Sequence, residues 1–246
     1  MSLSTYSPGA VGDSPMPFIE TATYQRPFAS GSSRHAQSSR TPPDPWKEYK
    51  HPNGDIYFYN RTLRLITPDD IYDPTTLAFV LEAREDHLQC LESDSSLGKL
   101  ADDWEMTLSD VSETAAVIRM YSRRLGESYV WTEERGLEFR SPEHFWSHVA
   151  EYPSHHDDLP PNTEGAFVQS LMKAKQLITQ GEIFPFSATQ IDQVIKRYEQ
   201  LKGLQSEGRN VVPALAWLMG AVMPLDACGK SYTDQDLGDL MKKMRV

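Results

Sequence analysis

The chain has 246 residues, enough for one large domain or two small ones, and a formal net charge of −11. This acidity argues against duplex nucleic acid as a partner, because binding to phosphates requires basic surfaces. The two cysteines, Cys90 and Cys228, have no metal-ligand spacing, so a disulfide framework is not expected. The N-terminus lacks the basic and apolar regions of a secretory signal, which predicts an intracellular protein, cytoplasmic or nuclear.

Residues 1–40 are rich in Ser, Pro, Gly and Thr, and they contain few side chains that could form a core. Burying so little apolar surface cannot offset the conformational entropy that is lost when a chain becomes ordered. We therefore predict that residues 1–40 form a disordered tail.

The stretch from Pro43 to Ile71 has the most specific pattern in the chain. Trp46 opens a first short run, and Asn53-Gly54 marks a tight turn, because both turn positions must accept positive φ. The next run, Ile56–Tyr59, is dense in β-forming residues, and a second turn separates it from the run Leu63–Thr67. The pattern predicts a three-stranded antiparallel meander, which is near the lower size limit for independent stability.

This pattern resembles a WW domain, a small module that binds proline-rich peptides, and the resemblance covers residues 41–72. It is carried by the first tryptophan and the proline before it, the turn glycine, the aromatic triplet Tyr57-Phe58-Tyr59 and the asparagine that follows. The second tryptophan of the family is replaced here by Pro68. The resemblance implies that four residues form the core of the module: Pro43, Trp46, Phe58 and Asn60.

In WW domains, aromatic side chains of the second and third strands form a slot for peptides already ordered as polyproline II. The resemblance implies a ligand-binding surface at four positions: Tyr57, Tyr59, Arg61 and Pro68. Because Pro68 replaces one aromatic wall, we expect a loss of roughly 1–3 kcal/mol of contact energy. Two hypotheses therefore remain: the module binds peptides weakly or in an altered way, or its WW fold serves only as a packing element.

A helix is predicted over residues 73–93, where Asp73 provides the cap and a proline lies in the first turn. After it, a run led by Trp104, an apolar run and an aromatic run ending near Trp131 predict a second small β-sheet over 100–135. This order resembles a second, diverged WW-like sheet. Chance similarity between three-stranded meanders is the open alternative.

Residues 141–246 are predicted to be a helical region, because apolar residues recur there at helical spacing. The predicted helices are Ser141–Tyr152, Glu164–Gln180, Ser187–Gly203 and Thr233–Met244. The segment 211–225 is nearly all apolar but shorter than the roughly 20 residues of a membrane span, which favours a buried helix or an interface. The predicted fold class is therefore α+β.

The arrangement as a whole resembles a group of fungal WW-domain proteins that has no well-defined activity to carry over. In that group a module that lacks its second tryptophan precedes a tryptophan-led sheet and helices. The residues that carry this resemblance are Trp46 with the aromatic triplet, Trp104 with Trp131, and Phe145-Trp146 with 185–188. Longer members continue into membrane segments, whereas this chain stops before any, so membrane association is not expected.

The histidines are candidate metal ligands, because His144 and His148 lie four residues apart on a predicted helix and His155-His156 follow closely. Two histidines one turn apart can chelate zinc. With no HExxH pattern and no cysteine nearby, surface histidines at a helix end are the favoured interpretation, and we predict no metal site and no cofactor. The minor hypothesis is a zinc-dependent enzyme. The absence of stoichiometric metal in the purified protein would exclude it.

Nucleophilic catalysis has no support in the sequence, which lacks a G-x-S-x-G elbow and a glycine-rich phosphate loop. We therefore predict no catalytic residues and a non-enzymatic interaction module or adaptor that binds proteins, with weak or altered binding of proline-rich peptides. The alternative is a structural or assembly protein. In it, the WW-like sheet is a packing element and 211–225 is an oligomer or membrane-proximal surface. An exposed Tyr57 ring would favour peptide binding, and a buried one would favour packing.

Overall fold

The structure is a computed structural model, and it describes residues 41–140, 142–181 and 186–223. The predicted tail at 1–40 and the predicted helix Thr233–Met244 lie outside these ranges. Within them the chain is α+β, as predicted, with a seven-stranded sheet and five α-helices. No helix of the described ranges has the length and apolar content needed to cross a membrane.

The seven strands lie side by side in chain order. They are β1 Lys47–Lys50, β2 Ile56–Asn60, β3 Leu65–Thr67, β4 Trp104–Ser109, β5 Val117–Ser122, β6 Glu127–Thr132 and β7 Gly136–Phe139. Neighbouring strands are antiparallel except β3 and β4, which are parallel. A parallel pair requires a crossover, and helix α1, Pro74–Ser93, supplies it.

The prediction of a separate three-stranded WW-like sheet is wrong. The strands β1–β3 form an antiparallel meander, but β3 continues into β4 through the pairs Leu65 with Met106 and Ile66 with Thr107. Every residue of β3 is buried, so this strand is suited to the interior of a sheet and not to an exposed edge. The predicted second sheet is the other part of the same sheet, and it has a fourth strand that ends at Phe139.

One face of the sheet packs against α1. The Asp73 side chain caps this helix by accepting hydrogen bonds from the backbone N–H groups of Thr75 and Thr76. Side chains from β2 to β6 and from α1 form one continuous buried cluster with the residues flanking the strands. Its fully or nearly fully buried members are Trp46, Phe58, Leu65, Ile71, Val80, Leu91, Met106, Leu108, Met120 and Tyr129.

The helical region packs on the opposite face through helix α2, Pro142–Glu151. Behind it lie α3 Thr163–Thr179, α4 Ala188–Ser206 and α5 Val212–Val222, which share a second buried core. Ser187 begins α4 with a capping box that it forms with Gln190, and the helix continues past Gly203 to Ser206. Helix α2 therefore lies between the sheet and the rest of the helical region.

Helix α5 corresponds to the apolar segment predicted at 211–225, of which the structure describes residues up to Met223. Its residues from Ala214 to Gly220 are all buried, so their apolar surface is used inside the chain. The backbones of α5 and α2 are in close contact at Gly220. A Cβ atom there would lie 2.6 Å from the Trp146 carbonyl oxygen and 2.6 Å from the Ala150 amide nitrogen.

We expect the substitution Gly220→Ala to destabilise the protein by about 1–3 kcal/mol, because the added methyl group forces two helix backbones apart. The matched control is Gly203→Ala on the exposed face of α4, where a Cβ atom meets no other atom within 4 Å. This control should raise stability by up to about 1 kcal/mol through helix propensity. Urea unfolding measures both changes, and equal effects of the two substitutions would contradict the close contact.

Candidate functional site

A group of polar side chains is buried between the sheet and the segment that follows α2. Side chains alternate between the two faces of a strand, so Phe58 and Met106 face α1 while Tyr57, Tyr59 and Glu105 face α2. Four residues of this face and of the helical region define the feature that we call the Glu–His cluster: Glu105, His148, His155 and His156.

Glu105 is the centre of the Glu–His cluster, and its side chain is only 9% exposed. Its Oε2 atom lies 3.2 Å from Nε2 of His156, 3.6 Å from Nε2 of His155 and 3.9 Å from Nε2 of His148. Its Oε1 atom accepts a hydrogen bond of 3.1 Å from the Tyr59 hydroxyl. One carboxylate therefore faces three imidazole rings from a different part of the chain.

The helix and the turn after it bring the three histidines together. His148 lies on the buried face of α2, where its ring stacks on Tyr121 with a centroid distance of 3.8 Å. After α2 ends, Ser154 fixes the chain to the sheet. Its backbone N–H donates to the Tyr57 hydroxyl at 2.7 Å, and its own hydroxyl donates to the Lys50 carbonyl at 2.7 Å. The next two residues are His155 and His156, which thereby lie over Glu105.

The outer ring nitrogens of two histidines are held by hydroxyl groups of the sheet. Nδ1 of His155 lies 3.1 Å from the Tyr57 hydroxyl, and Nδ1 of His148 lies 3.5 Å from the Thr107 hydroxyl. The inner Nε2 atom of His155 is buried and makes no hydrogen bond to the described residues, since Oε2 of Glu105 lies 3.6 Å away, just beyond hydrogen-bond distance. The rings are thus oriented with their Nε2 atoms toward Glu105.

Burial and pairing act in opposite directions on the ionisation of the cluster. Burial alone would raise the pKa of Glu105, but its interactions with the three histidine side chains hold that pKa well below its usual range. Burial lowers the pKa of His148, and it lowers the pKa of His155 to about 4. Burial therefore favours the neutral form of these two imidazoles, while their pairing with Glu105 favours the ionised form of the carboxylate.

Three members of the cluster have possible ligand atoms close to one another. One ligand atom from each of Glu105, His155 and His156 can be chosen so that all three atoms lie within 4.8 Å of one another. Beside them is a small cavity of about 20 Å³, lined in part by His148, His156 and Arg123. That volume accommodates about one water molecule.

The four predicted ligand-binding residues have different surroundings. Tyr57 is 2% exposed, and its ring is covered by Tyr152 and His155 at centroid distances of 5.2 and 5.7 Å. Tyr59 is half-buried on Glu105, as described above. Arg61 is exposed in the turn after β2, and Pro68 is half-buried directly after β3. The structure therefore joins the two tyrosines to the Glu–His cluster, of which neither Arg61 nor Pro68 is a member.

The four residues predicted for the core of the module lie near the start of the sheet. Trp46 and Phe58 are buried in the cluster that packs against α1. Asn60 is buried, and its side-chain oxygen accepts a hydrogen bond from the Leu63 backbone N–H at 3.1 Å. Pro43 is half-buried, and its carbonyl accepts from the Trp46 backbone N–H at 2.9 Å.

The sequence reasoning considered the histidines but missed Glu105, which lies 51 residues before His156. A local signal was present, since Glu105 occupies a strand position on the same face as Thr107, between the apolar residues Trp104 and Met106. The prediction of surface histidines at a helix end is wrong for two of them, because His148 is buried and the His155 side chain is fully buried. His148 belongs to the cluster, whereas half-buried His144 lies among the charges of Arg140, Glu143 and Arg119.

Comparisons of the chain with protein-family models, with curated proteins and with solved structures find no match. The resemblance to a WW domain therefore stays a prediction from the residues of the 41–72 stretch.

We expect Tyr57→Phe to destabilise the protein by about 1–3 kcal/mol, because it leaves the Ser154 N–H group and Nδ1 of His155 without their buried partner. The control is Tyr49→Phe. Its ring stacks on Tyr57 at 5.8 Å, but its hydroxyl has no hydrogen bond to the residues that the structure describes. That change should stay within about 0.5 kcal/mol. Urea unfolding compares the two variants, and an equal loss from both would contradict the assigned role of the Tyr57 hydroxyl.

Proposed function

We propose that this chain is a non-enzymatic structural or assembly protein that interacts with other proteins, and that its WW-like strands serve as a packing element. The observation that carries the proposal is the burial of Tyr57, which is 2% exposed. A slot for proline needs an aromatic ring that a peptide can reach. The burial of this ring therefore favours the packing role over the binding of proline-rich peptides.

The contacts of Tyr57 explain why a peptide would not displace its cover easily. The ring, Ile66 of β3 and Tyr152 form one buried apolar cluster, and the Tyr57 hydroxyl bonds to Ser154. Removing the cover would break these contacts and would also expose Glu105 with its histidines. The binding free energy of a proline-rich peptide would not compensate for these lost contacts, since a single aromatic wall contributes only about 1–3 kcal/mol.

The Glu–His cluster has little free space around it, which favours a role in packing. The space beside His148 and His156 accommodates only about one water molecule. The titratable groups of the cluster are thus packed as part of the interior, where they join the sheet to the helical region.

The proposal is tested by titrating ¹⁵N-labelled full-length protein with a panel of proline-rich peptides. We expect no saturable shift of the β2 and β3 amides at millimolar peptide. We expect the same for Pro68→Trp, which restores the second aromatic wall, because the first wall at Tyr57 remains covered. An intact WW domain serves as the control for the peptides.

Saturable binding by the unmodified chain, with shifts centred on Tyr57 and Tyr59, would contradict the packing role and support the peptide-binding adaptor. Binding by Pro68→Trp alone would also contradict it, because it would show that the Tyr57 ring is accessible and that only the missing tryptophan prevents binding.

A further inference from the structure

We propose that the Glu–His cluster is a structural binding site for a divalent transition-metal ion of the zinc class. Its ligands are Glu105, His155 and His156, and His148 is the fourth. The inference goes beyond the packing role proposed above and does not depend on it, because it concerns what the interior of the fold binds and not what its surface recognises.

The distances from the Glu105 carboxylate to the histidine nitrogens are close to those between the ligands of a tetrahedral zinc ion. Zinc–nitrogen and zinc–oxygen bonds of about 2.0–2.1 Å place neighbouring ligand atoms about 3.4 Å apart. Oε2 of Glu105 lies 3.2 Å from Nε2 of His156 and 3.6 Å from Nε2 of His155, on either side of that value. The corresponding distance for His148 is 3.9 Å, so a shift of about half an ångström brings this ring to the same spacing.

A second observation is the complete burial of the His155 side chain. This side chain has 0% exposure, and its Nε2 atom has no hydrogen-bond partner among the described residues. Buried polar atoms are nearly always paired, because leaving one unpaired is unfavourable. This nitrogen is directed at the carboxylate of Glu105, and a metal ion between the two would satisfy it.

The outer contacts of the rings are those expected around metal-bound histidines. Such histidines usually donate their second ring N–H group to a neighbouring acceptor, which fixes the ring and its tautomer. Nδ1 of His155 has the Tyr57 hydroxyl at 3.1 Å, and Nδ1 of His148 has the Thr107 hydroxyl at 3.5 Å. With Nδ1–H donating to these oxygens, each Nε2 atom keeps its lone pair for a metal ion.

The donor set selects the class of ion and its role. Imidazole nitrogens suit zinc and its neighbours among the transition metals, whereas magnesium and calcium prefer sites made of oxygen atoms. Four protein ligands would close a tetrahedral site, which is typical of structural zinc. Because Glu105 lies in β4 and the other ligands follow from α2 onward, the ion would fasten the helical region to the sheet over Tyr57.

The test uses the full-length chain without a histidine tag, stripped of metal with a chelator and dialysed. Zinc is titrated by calorimetry, and bound zinc is counted by elemental analysis. We expect one zinc ion per chain, with the affinity reduced by more than about 100-fold in Glu105→Gln and in His155→Gln. Tyr57→Phe should reduce it by about 10–100-fold, as expected for an outer contact.

The matched control is His144→Gln, which changes a histidine one turn before His148 on the same helix but outside the cluster. It should bind zinc as the unmodified chain does, and magnesium should bind neither protein. Cobalt in place of zinc should give the strong visible absorption of a four-coordinate ion. The absence of stoichiometric zinc, or zinc binding that both Glu105→Gln and His155→Gln retain, would overturn the proposal.

Should the ligand variants fail to fold, the unmodified chain still decides the question by NMR of its histidine side chains. Zinc must shift the Nε2 resonances of His148, His155 and His156 and leave those of His144 unchanged. Zinc-dependent shifts at His144 alone, or no shift at His155, would likewise overturn the proposal.

Discussion

A carboxylate inside a protein is strongly unfavourable unless neighbouring groups compensate its charge. Glu105 is such a carboxylate, and the groups around it are Tyr59 from the sheet and three histidines from the helical region. These contacts hold the chain after α2 over β2 and β4, where its histidines meet Glu105.

The position of that segment in turn closes the surface that the WW resemblance would assign to peptides. Tyr152 and His155 cover the Tyr57 ring, and Ser154 bonds to both the Tyr57 hydroxyl and the Lys50 carbonyl. The same segment continues α2, which contacts α5 so closely at Gly220 that no side chain fits between the backbones. The sheet, the Glu–His cluster and the helical core are therefore linked by a single short stretch of chain.

Local features of the sequence predicted local features of the fold. The Asp73 and Ser187 caps mark where α1 and α4 begin. Asn53-Gly54 lies in the turn between β1 and β2, although only Gly54 has the positive φ that was expected of both residues. These signals depend on residues only a few positions apart, so they can be read without knowing the tertiary structure. The short strand β7 left too weak a pattern to be recognised.

The arrangement of the strands and the site itself could not be predicted in this way. The parallel pairing of Leu65 with Met106 depends on a crossover helix between the two strands. The sequence of a short apolar run does not specify which other strand it pairs with. The Glu–His cluster joins residues up to 51 positions apart. The histidines were visible in the sequence, but their meaning depends on Glu105, which appeared there as one acidic residue among many.

The central claim is that the strands β1–β3 are part of one cooperative structure with β4, α2 and the Glu–His cluster, and are not a separate module. Native-state hydrogen exchange of the full-length chain tests it most directly. We expect the amides of β2 and β3 to open with the same free energy as those of β4 and β5, and to respond equally to Gly220→Ala. Opening of β1–β3 at a clearly lower free energy, unaffected by that substitution, would contradict the account.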